Sequence, residues 1–387
     1  MKTQRKSISI STVIGLILLA AMLVMPQTSR AITFTALGDL PGSSIRSDVS
    51  DVSADGSTAV GLSRSTNGYE AFRWTESGGM VGLGDLPGGD FNGSAEGVSA
   101  DGSVVVGSSY STDGKEAFKW TESGGMVGLG DLPGGSFSSV AYSVSADGST
   151  TVGYSKSTDG NEAFRWTESS GMVGLGDLAG GSFYSIARGV SADGSTVVGY
   201  SKSTDNYEAF IWTESGGMMG LGDLASGDFY SRAYGVSADG STAVGYSRST
   251  DGNEAFIWTE SGGMVGLGDL AGGNFNSAAY DVSADGSVVV GKGYAEEVGQ
   301  TAMLWTEETG MISLIDLLTE GGIDMTGWGL TNAYGISDDG MIIVGDGYNP
   351  DFDDVAWMIN LNPVPVPGAV WLLGSGLLGI IGMRRKK

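Results

Sequence analysis

Between residues 33 and 360 short apolar runs alternate with Gly-rich turns, and the alternation repeats about every 46 residues. Residues 233–270 display one unit: AYGVS, STAVGYS, EAFIWT and MVGLGDL. Runs this short, rich in β-branched and aromatic residues and bounded by Gly clusters, read as strands. Ala-Asp-Gly between the first two suits a type I turn closed by a left-handed Gly. Glu-Ser-Gly-Gly makes a second tight connection between the third and fourth. The other two connections, of the STDGN and AGGNFNS types, are longer. Each unit is therefore expected to be a four-stranded antiparallel meander.

Three landmarks fix the period. VSADGS places an Asp at Asp55, Asp101, Asp147, Asp193, Asp239 and Asp285, with Ser337-Asp338-Asp339-Gly340 as a looser seventh copy. Trp recurs at 74, 120, 166, 212, 258, 305 and 357. LGDL supplies Asp39, Asp85, Asp131, Asp177, Asp223 and Asp269, with Asp316 in a degenerate version. A sheet repeated around an axis is a propeller blade, and a solenoid with one coil per repeat is the alternative. The register favours the propeller. The chain enters with a fourth-strand motif, Thr33 to Leu40, and leaves after three strands, Asn332 to Asn360, so the fragments sum to one blade. The expected fold is all-β: a seven-bladed β-propeller over residues 32–362, closed by the N-terminal strand pairing with the last blade. Closure removes exposed sheet edges. The repeated Trp is expected in the core between blades, with the Phe two residues earlier on the same face.

The two ends read as processing signals. Lys2, Arg5 and Lys6 precede an apolar run from Ile8 to Val24, and Ser29 and Ala31 suit a signal-peptidase cut before Ile32, making 1–31 a signal peptide. An uncleaved anchor is the alternative. Residues 363–387 carry Pro363, Pro365 and Pro367, a short apolar span from Ala369 to Met383, and Arg384, Arg385, Lys386 and Lys387. The string VPVPGAVWLLGSGLLGIIGMRRKK resembles the PEP-CTERM sorting signal in its VPxP variant. That resemblance implies recognition by an exosortase of a Gram-negative bacterium, transient membrane association through the span, cleavage near the prolines, and release or attachment outside the cell. A plain C-terminal anchor is the other reading.

Charge and composition narrow the chemistry. The two ends carry eight basic residues and no acidic ones, which leaves 12 basic against 45 acidic in the remainder, a net of −33. Such a surface repels nucleic acid and anionic membranes. There is no Cys and no His, so thiolate chemistry, Ser-His-Asp triads and His-based metal sites are excluded. The near-identity of the first five units argues against a catalytic site, which needs unlike groups brought together. Departures concentrate at Ala295–Gln300 and in the insertion Leu318–Thr331, with Glu320, Asp324 and Trp328, and catalysis, if present, is expected there.

The unit also resembles the HAF extracellular repeat, through Ala71-Phe72-Arg73-Trp74 and its counterparts, the Gly-Met turn, LGDL, and an Asx-Gly turn followed by Val105-Val106-Gly107. Where that family carries His before Ala-Phe, this chain has Glu70, Glu116, Glu162, Glu208 and Glu254. The resemblance implies extracellular location and repeat architecture more than an activity. The expectation is an exported, non-enzymatic surface or matrix propeller that binds or organises exopolysaccharide or a surface protein. The alternative is a carboxylate-dependent glycan-processing enzyme. The candidate binding face carries the variable loops, with Phe183, Tyr184, Phe229 and Tyr230 as platforms and Asp205 and Asp251 as loop acids. Flat apolar rings with polar groups beside them suit sugars, although each Phe can equally turn inward as a loop anchor. No cofactor is implied. Asp159, Asp205 and Asp251 with Glu162, Glu208 and Glu254 offer at most weak Ca²⁺ binding, and the ADG aspartates are expected to be turn formers.

Overall fold

The computed structural model describes residues 32–361 apart from 43–44, 226–227 and 297. The expected processing positions Ala31, Pro363, Pro365 and Pro367 lie outside the described residues. Within them the strands pair as antiparallel meanders. Sheet one runs Ser47–Val52, Thr58–Arg64, Tyr69–Thr75 and Gly79–Gly82. Five more follow, with first strands Ser94–Val98, Gly134–Val144, Gly180–Val190, Ser231–Val236 and Ala278–Val282. Single parallel pairings, Ser138 with Lys115 and Asn161 with Tyr184, join sheets two, three and four into one continuous sheet. Sheet seven takes Gly329–Ile336, Ile342–Tyr348 and Asp354–Asn360. Its fourth strand is Thr33–Ala36, antiparallel, with Thr33 opposite Asn360 and Ala36 opposite Trp357.

The repeated letters have local causes. Asp55 Oδ1 accepts from Ser53 Oγ (2.8 Å) and from the Ser57 N–H (2.9 Å), and Ser53 Oγ accepts from the Thr58 N–H (3.0 Å). Gly56 sits at φ 71°, where a side chain would be strained. These aspartates are turn formers, as the sequence suggests. The turns also touch one another. The Ala54 N–H donates to the Ala100 carbonyl (3.1 Å), and the same bond repeats from turn to turn until the Asp338 N–H donates to the Ala54 carbonyl (3.0 Å). The Gly ending each VVG-like run is steric in origin: a Cβ on Gly61 would collide with the Asp48 carbonyl, where the first strand bulges.

Between sheets the core is layered. One layer joins Val60, Ala71, Leu83 and Leu86 of sheet one to Ala95, Val98, Val105 and Phe118 of sheet two. Equivalent layers lie between each successive pair, and another joins sheet seven (Val344, Ala356, Met358, with Leu37 and Leu40) to sheet one (Val49, Val52, Phe72, Trp74). The repeated Trp, expected in the core between blades, lies at its outer edge. Phe72, Phe118, Phe164, Phe210 and Phe256 are fully buried, whereas Trp120, Trp166, Trp212, Trp258 and Trp305 are half-buried beside the outer Met of the fourth strand. The inner position lies close to the crowded first strand, and the outer one opens toward the rim. Trp357 is not a seventh copy of that Trp. It lies opposite Gly345, the place Phe72 holds opposite Gly61, and it is fully buried.

The insertion is structural as well. The helix Leu314–Glu320, capped by Ser313, buries Leu314 and Leu318 between sheets six and seven, and Trp328 packs edge-on against Phe34 at 4.9 Å. Glu320 and Asp324 are exposed, and Asp324 accepts from the Thr326 N–H (3.0 Å). The same helix turns Asp316 and Glu320 toward a surface pocket that also takes in Leu270, Ala295 and Met311.

Candidate functional site: an axial cavity and its tyrosine track

The first strand of every sheet carries one residue, immediately after the position opposite the VVG Gly, that is Tyr in four sheets and Ser, Glu or Arg in the other three. In order these are Ser50, Glu96, Tyr142, Arg188, Tyr234, Tyr280 and Tyr334. All seven line one cavity of about 710 Å³, together with Arg46, Asp48, Asp51, Asp281 and Asp346. The sequence reading assigned this strand position no functional role. Unlike groups meet there instead, which weakens the argument that identical repeats cannot build a site.

The cavity is charge-divided. Sheets six, seven, one and two bring the acids. Burial pushes the Asp51 carboxyl up to about 7, against hydrogen bonds from the Val98 and Val52 N–H groups at 2.9 and 2.8 Å. Burial pushes Asp281 up to about 8, and the Asp51 charge adds to this, against bonds from the Ile336 and Val282 N–H groups. Each of these carboxyls ties its own sheet to the next. Burial also raises Glu96, opposed by its bond from Ser94 Oγ (2.9 Å) and by Arg188. Asp48 pairs with Arg46 at 3.5 Å, and Asp346 accepts from Asn332 and Thr331 at 2.8 and 2.7 Å.

Arg188 comes from sheet four, Arg46 stands beside the acids, and the cavity tyrosines come from sheets three, five, six and seven. The Arg188 guanidinium lies 4.0 Å from the Tyr142 ring centre and 5.4 Å from that of Tyr234, and its Nε is buried without a hydrogen-bond partner. From Tyr234 the rings run both ways. Inward, Tyr280 packs on it at 5.6 Å and stacks on Tyr334 at 5.2 Å. Outward, Tyr246 stacks at 6.0 Å and leads to Tyr230 (5.8 Å), Tyr207 (5.9 Å) and Tyr184 (5.4 Å). Arg232 sits over Tyr200, Tyr207 and Tyr230, also with an unpartnered buried Nε, while Lys202 and Arg248 face the outer rings. Burial raises the Tyr200 hydroxyl to about 12, so this ring stays neutral at physiological pH.

The loop residues singled out from sequence divide. Tyr184 and Tyr230 belong to this track. Phe183 and Phe229 are half-buried and enter none of its ring contacts; Asp205 and Asp251 are exposed, and Asp251 lines a surface pocket with Arg248 of the track. The proposed Ca²⁺ ligands divide too. Glu162, Glu208 and Glu254 are half-buried caps, accepting from the N–H of Gly176, Gly222 and Gly268 at 3.2, 3.2 and 3.1 Å. Among the described residues no group of three acids is placed to hold a metal. One exposed aromatic escaped the sequence reading: Phe352, 82% exposed at φ 65°, stacked on Tyr348 at 5.9 Å. Of the seven axial residues, Glu96, Arg188 and Tyr234 stand directly before G-V-S-A-D-G and the others before variants of it; the sequence reading singled out none of them. Nothing in the sequence marked Phe352.

No family model and no curated protein matches the chain. Among solved structures, the β-propeller domain of the Trilobed protease from Pyrococcus furiosus aligns with TM-score 0.50 and 13% identity over 83% of this chain and 100% of that one. The chain has a β-propeller fold. Oligogalacturonate lyase from Vibrio parahaemolyticus aligns with TM-score 0.53 and 11% identity over 86% and 98% of the two chains. TolB from Acinetobacter baumannii aligns at TM-score 0.41 and 16% identity over 55% of this propeller, which spans about half (52%) of that protein's length. Identities this low speak for the fold alone.

Proposed function

We propose that this propeller is an exported, non-enzymatic glycan-binding protein whose seven blades form a closed ring. Three features support the ring: the N-terminal strand in sheet seven, the layer between sheets seven and one, and the turn-to-turn hydrogen bonds that return to Ala54. The observation that carries the binding reading is the continuous track of tyrosines with Lys202, Arg232 and Arg248, concentrated on two blades of a chain otherwise dominated by acids. Ring faces stack on sugars, each on the order of 1 kcal/mol, and several blades acting on one polymer supply the affinity. Replacing Tyr184 and Tyr230 together by Ala should release the protein from native exopolysaccharide while the melting temperature stays nearly unchanged. Unaltered retention with the fold intact removes the carbohydrate reading in favour of a surface-protein partner.

Export, exosortase processing and the HAF kinship belong to the same proposal, resting on sequence resemblance. Intact mass from the native cell should place the N-terminus near Ile32 and the C-terminus near Pro363; recovery of Arg384–Lys387 on the secreted form rules out cleavage. A second reading has one observation in its favour: the axial cavity gathers Glu96, Tyr142, Arg188 and Asp346, the unlike groups that carboxylate-dependent glycan processing needs. Release of reducing ends from bound polymer, lost in Glu96→Gln, decides for it.

A further inference from the structure

Arg188 and Arg232 both carry a buried Nε without a hydrogen-bond partner, and neither forms an ion pair among the described residues. A buried N–H donor left without a hydrogen-bond partner is costly. Here its enclosure is aromatic: Tyr142 and Tyr234 around Arg188, Tyr200, Tyr207 and Tyr230 around Arg232. Such rings hold the cation but leave its in-plane N–H donors unanswered. Arg188 lines the 710 Å³ cavity, large enough for one or two pyranose rings. Asp48, Glu96 and Asp346 on the acidic side are acceptors suited to sugar hydroxyls.

We infer that the axial cavity recognises an acidic sugar, the ligand's carboxylate pairing with Arg188 while its hydroxyls meet Asp48, Glu96 and Asp346 and Arg232 guards the track that leads in from Tyr184 and Tyr230. This rests on the glycan-binding reading and names its substrate class. The planar fork of a guanidinium matches a carboxylate at two points. The acidic and basic sides together fit a ring carrying one carboxylate and several hydroxyls better than either a neutral sugar or an inorganic anion.

The test is calorimetric titration of the full-length protein with D-glucuronate, D-glucuronamide and D-glucose. Glucuronate should bind about tenfold more tightly than its amide, and Arg188→Gln should erase that difference. The Gln variant loses the contacts with Tyr142 and Tyr234 but also a buried Nε that makes no hydrogen bond, so its fold is checked by melting before binding is read. Should it fail to fold, Arg188→Lys keeps the charge, loses the fork and should reduce the preference. Equal binding of acid and amide by the parent, or a preference that survives in the folded Gln or Lys variant, overturns the inference. If none of the three sugars binds while the polymer is still retained, the acid-sugar site is wrong and the glycan reading stands. If the polymer is not retained either, both fall.

Discussion

Two columns of the repeat behave in opposite ways. Phe72, Phe118, Phe164, Phe210 and Phe256 hold one position in five sheets, and only Met303 and Trp357 replace them; all seven are fully buried between sheets. Ser50, Glu96, Tyr142, Arg188, Tyr234, Tyr280 and Tyr334 also take one position per sheet, yet they mix four tyrosines with a serine, an acid and a base, and all meet a cavity. A position that must satisfy the same packing in every unit tolerates few residues, whereas one that faces open space is free to differ. In a repeat protein, departure from the repeat is therefore a better pointer to function than the repeat itself.

The largest effect should come from the packing column. Phe164→Ala leaves a cavity between sheets two and three and should cost about 3–5 kcal/mol in denaturant unfolding. Trp166→Ala, half-buried beside Met172, should cost less, about 1–2 kcal/mol. A tryptophan cost equal to or above that of phenylalanine would invert the layering described for the core.

The second test probes the axial carboxyls. Asp51 and Asp281 titrate near 7 and 8 in the fold but near the ordinary 3.8 when unfolded. A raised acid pKa means the folded state binds the proton more tightly, so the stabilisation is complete below about pH 4 and is lost as pH rises through 7 and 8. The slope should approach about 1.4 kcal/mol per pH unit for each group in that window. Asp281→Ser, which copies Ser143 of sheet three, should flatten part of the slope measured by urea unfolding between pH 4 and 9. An unchanged slope assigns the pH dependence to the general excess of acids instead.

Strand order, turn chemistry and the pairing of Thr33–Ala36 with the last three strands were legible in the sequence because each rests on a local signal repeated many times. Trp357 was misread for a physical reason. Matching letters aligned it with Trp305, but its depth is set by its distance from the Gly of the second strand, and that register puts it in the Phe column. The Glu before Ala-Phe read as a loop acid because its partner, the N–H of a Gly in LGDL, lies 14 residues away. The axial column was overlooked because its members sit one per repeat, most of them among small residues such as Ala95, Gly97, Ala187 and Gly189, with nothing local to show that they face one cavity. Tyr184 and Tyr230 were found as loop aromatics, but their contacts with Tyr200, Tyr207 and Tyr246 depend on which loops the sheets bring together.

The smallest stability effect, and the sharpest contrast with the packing column, should come from Phe352. Its loop is over-determined: Asn349 Oδ1 accepts from the N–H groups of Asp351 and Asp353 at 2.9 and 3.0 Å, and the Asn349 carbonyl accepts from the Phe352 N–H at 2.9 Å. The result is a bulky residue at φ 65°, a conformation that costs an L side chain about 1–2 kcal/mol. The ring gains no burial in return, since it is 82% exposed and only stacks on Tyr348. A strained, outward-facing aromatic held this firmly contributes little to the fold, and the expectation is that it contributes to contact with a ligand. Phe352→Gly relieves the strain, at some entropic cost in the unfolded chain, and should leave stability unchanged or raised by about 1 kcal/mol. Retention on exopolysaccharide should fall, though less than in the Tyr184 and Tyr230 double variant, because one ring on sheet seven replaces none of the track on sheets four and five. A variant that loses stability and binds as before would make Phe352 part of the framework and would confine the binding surface to the tyrosine track.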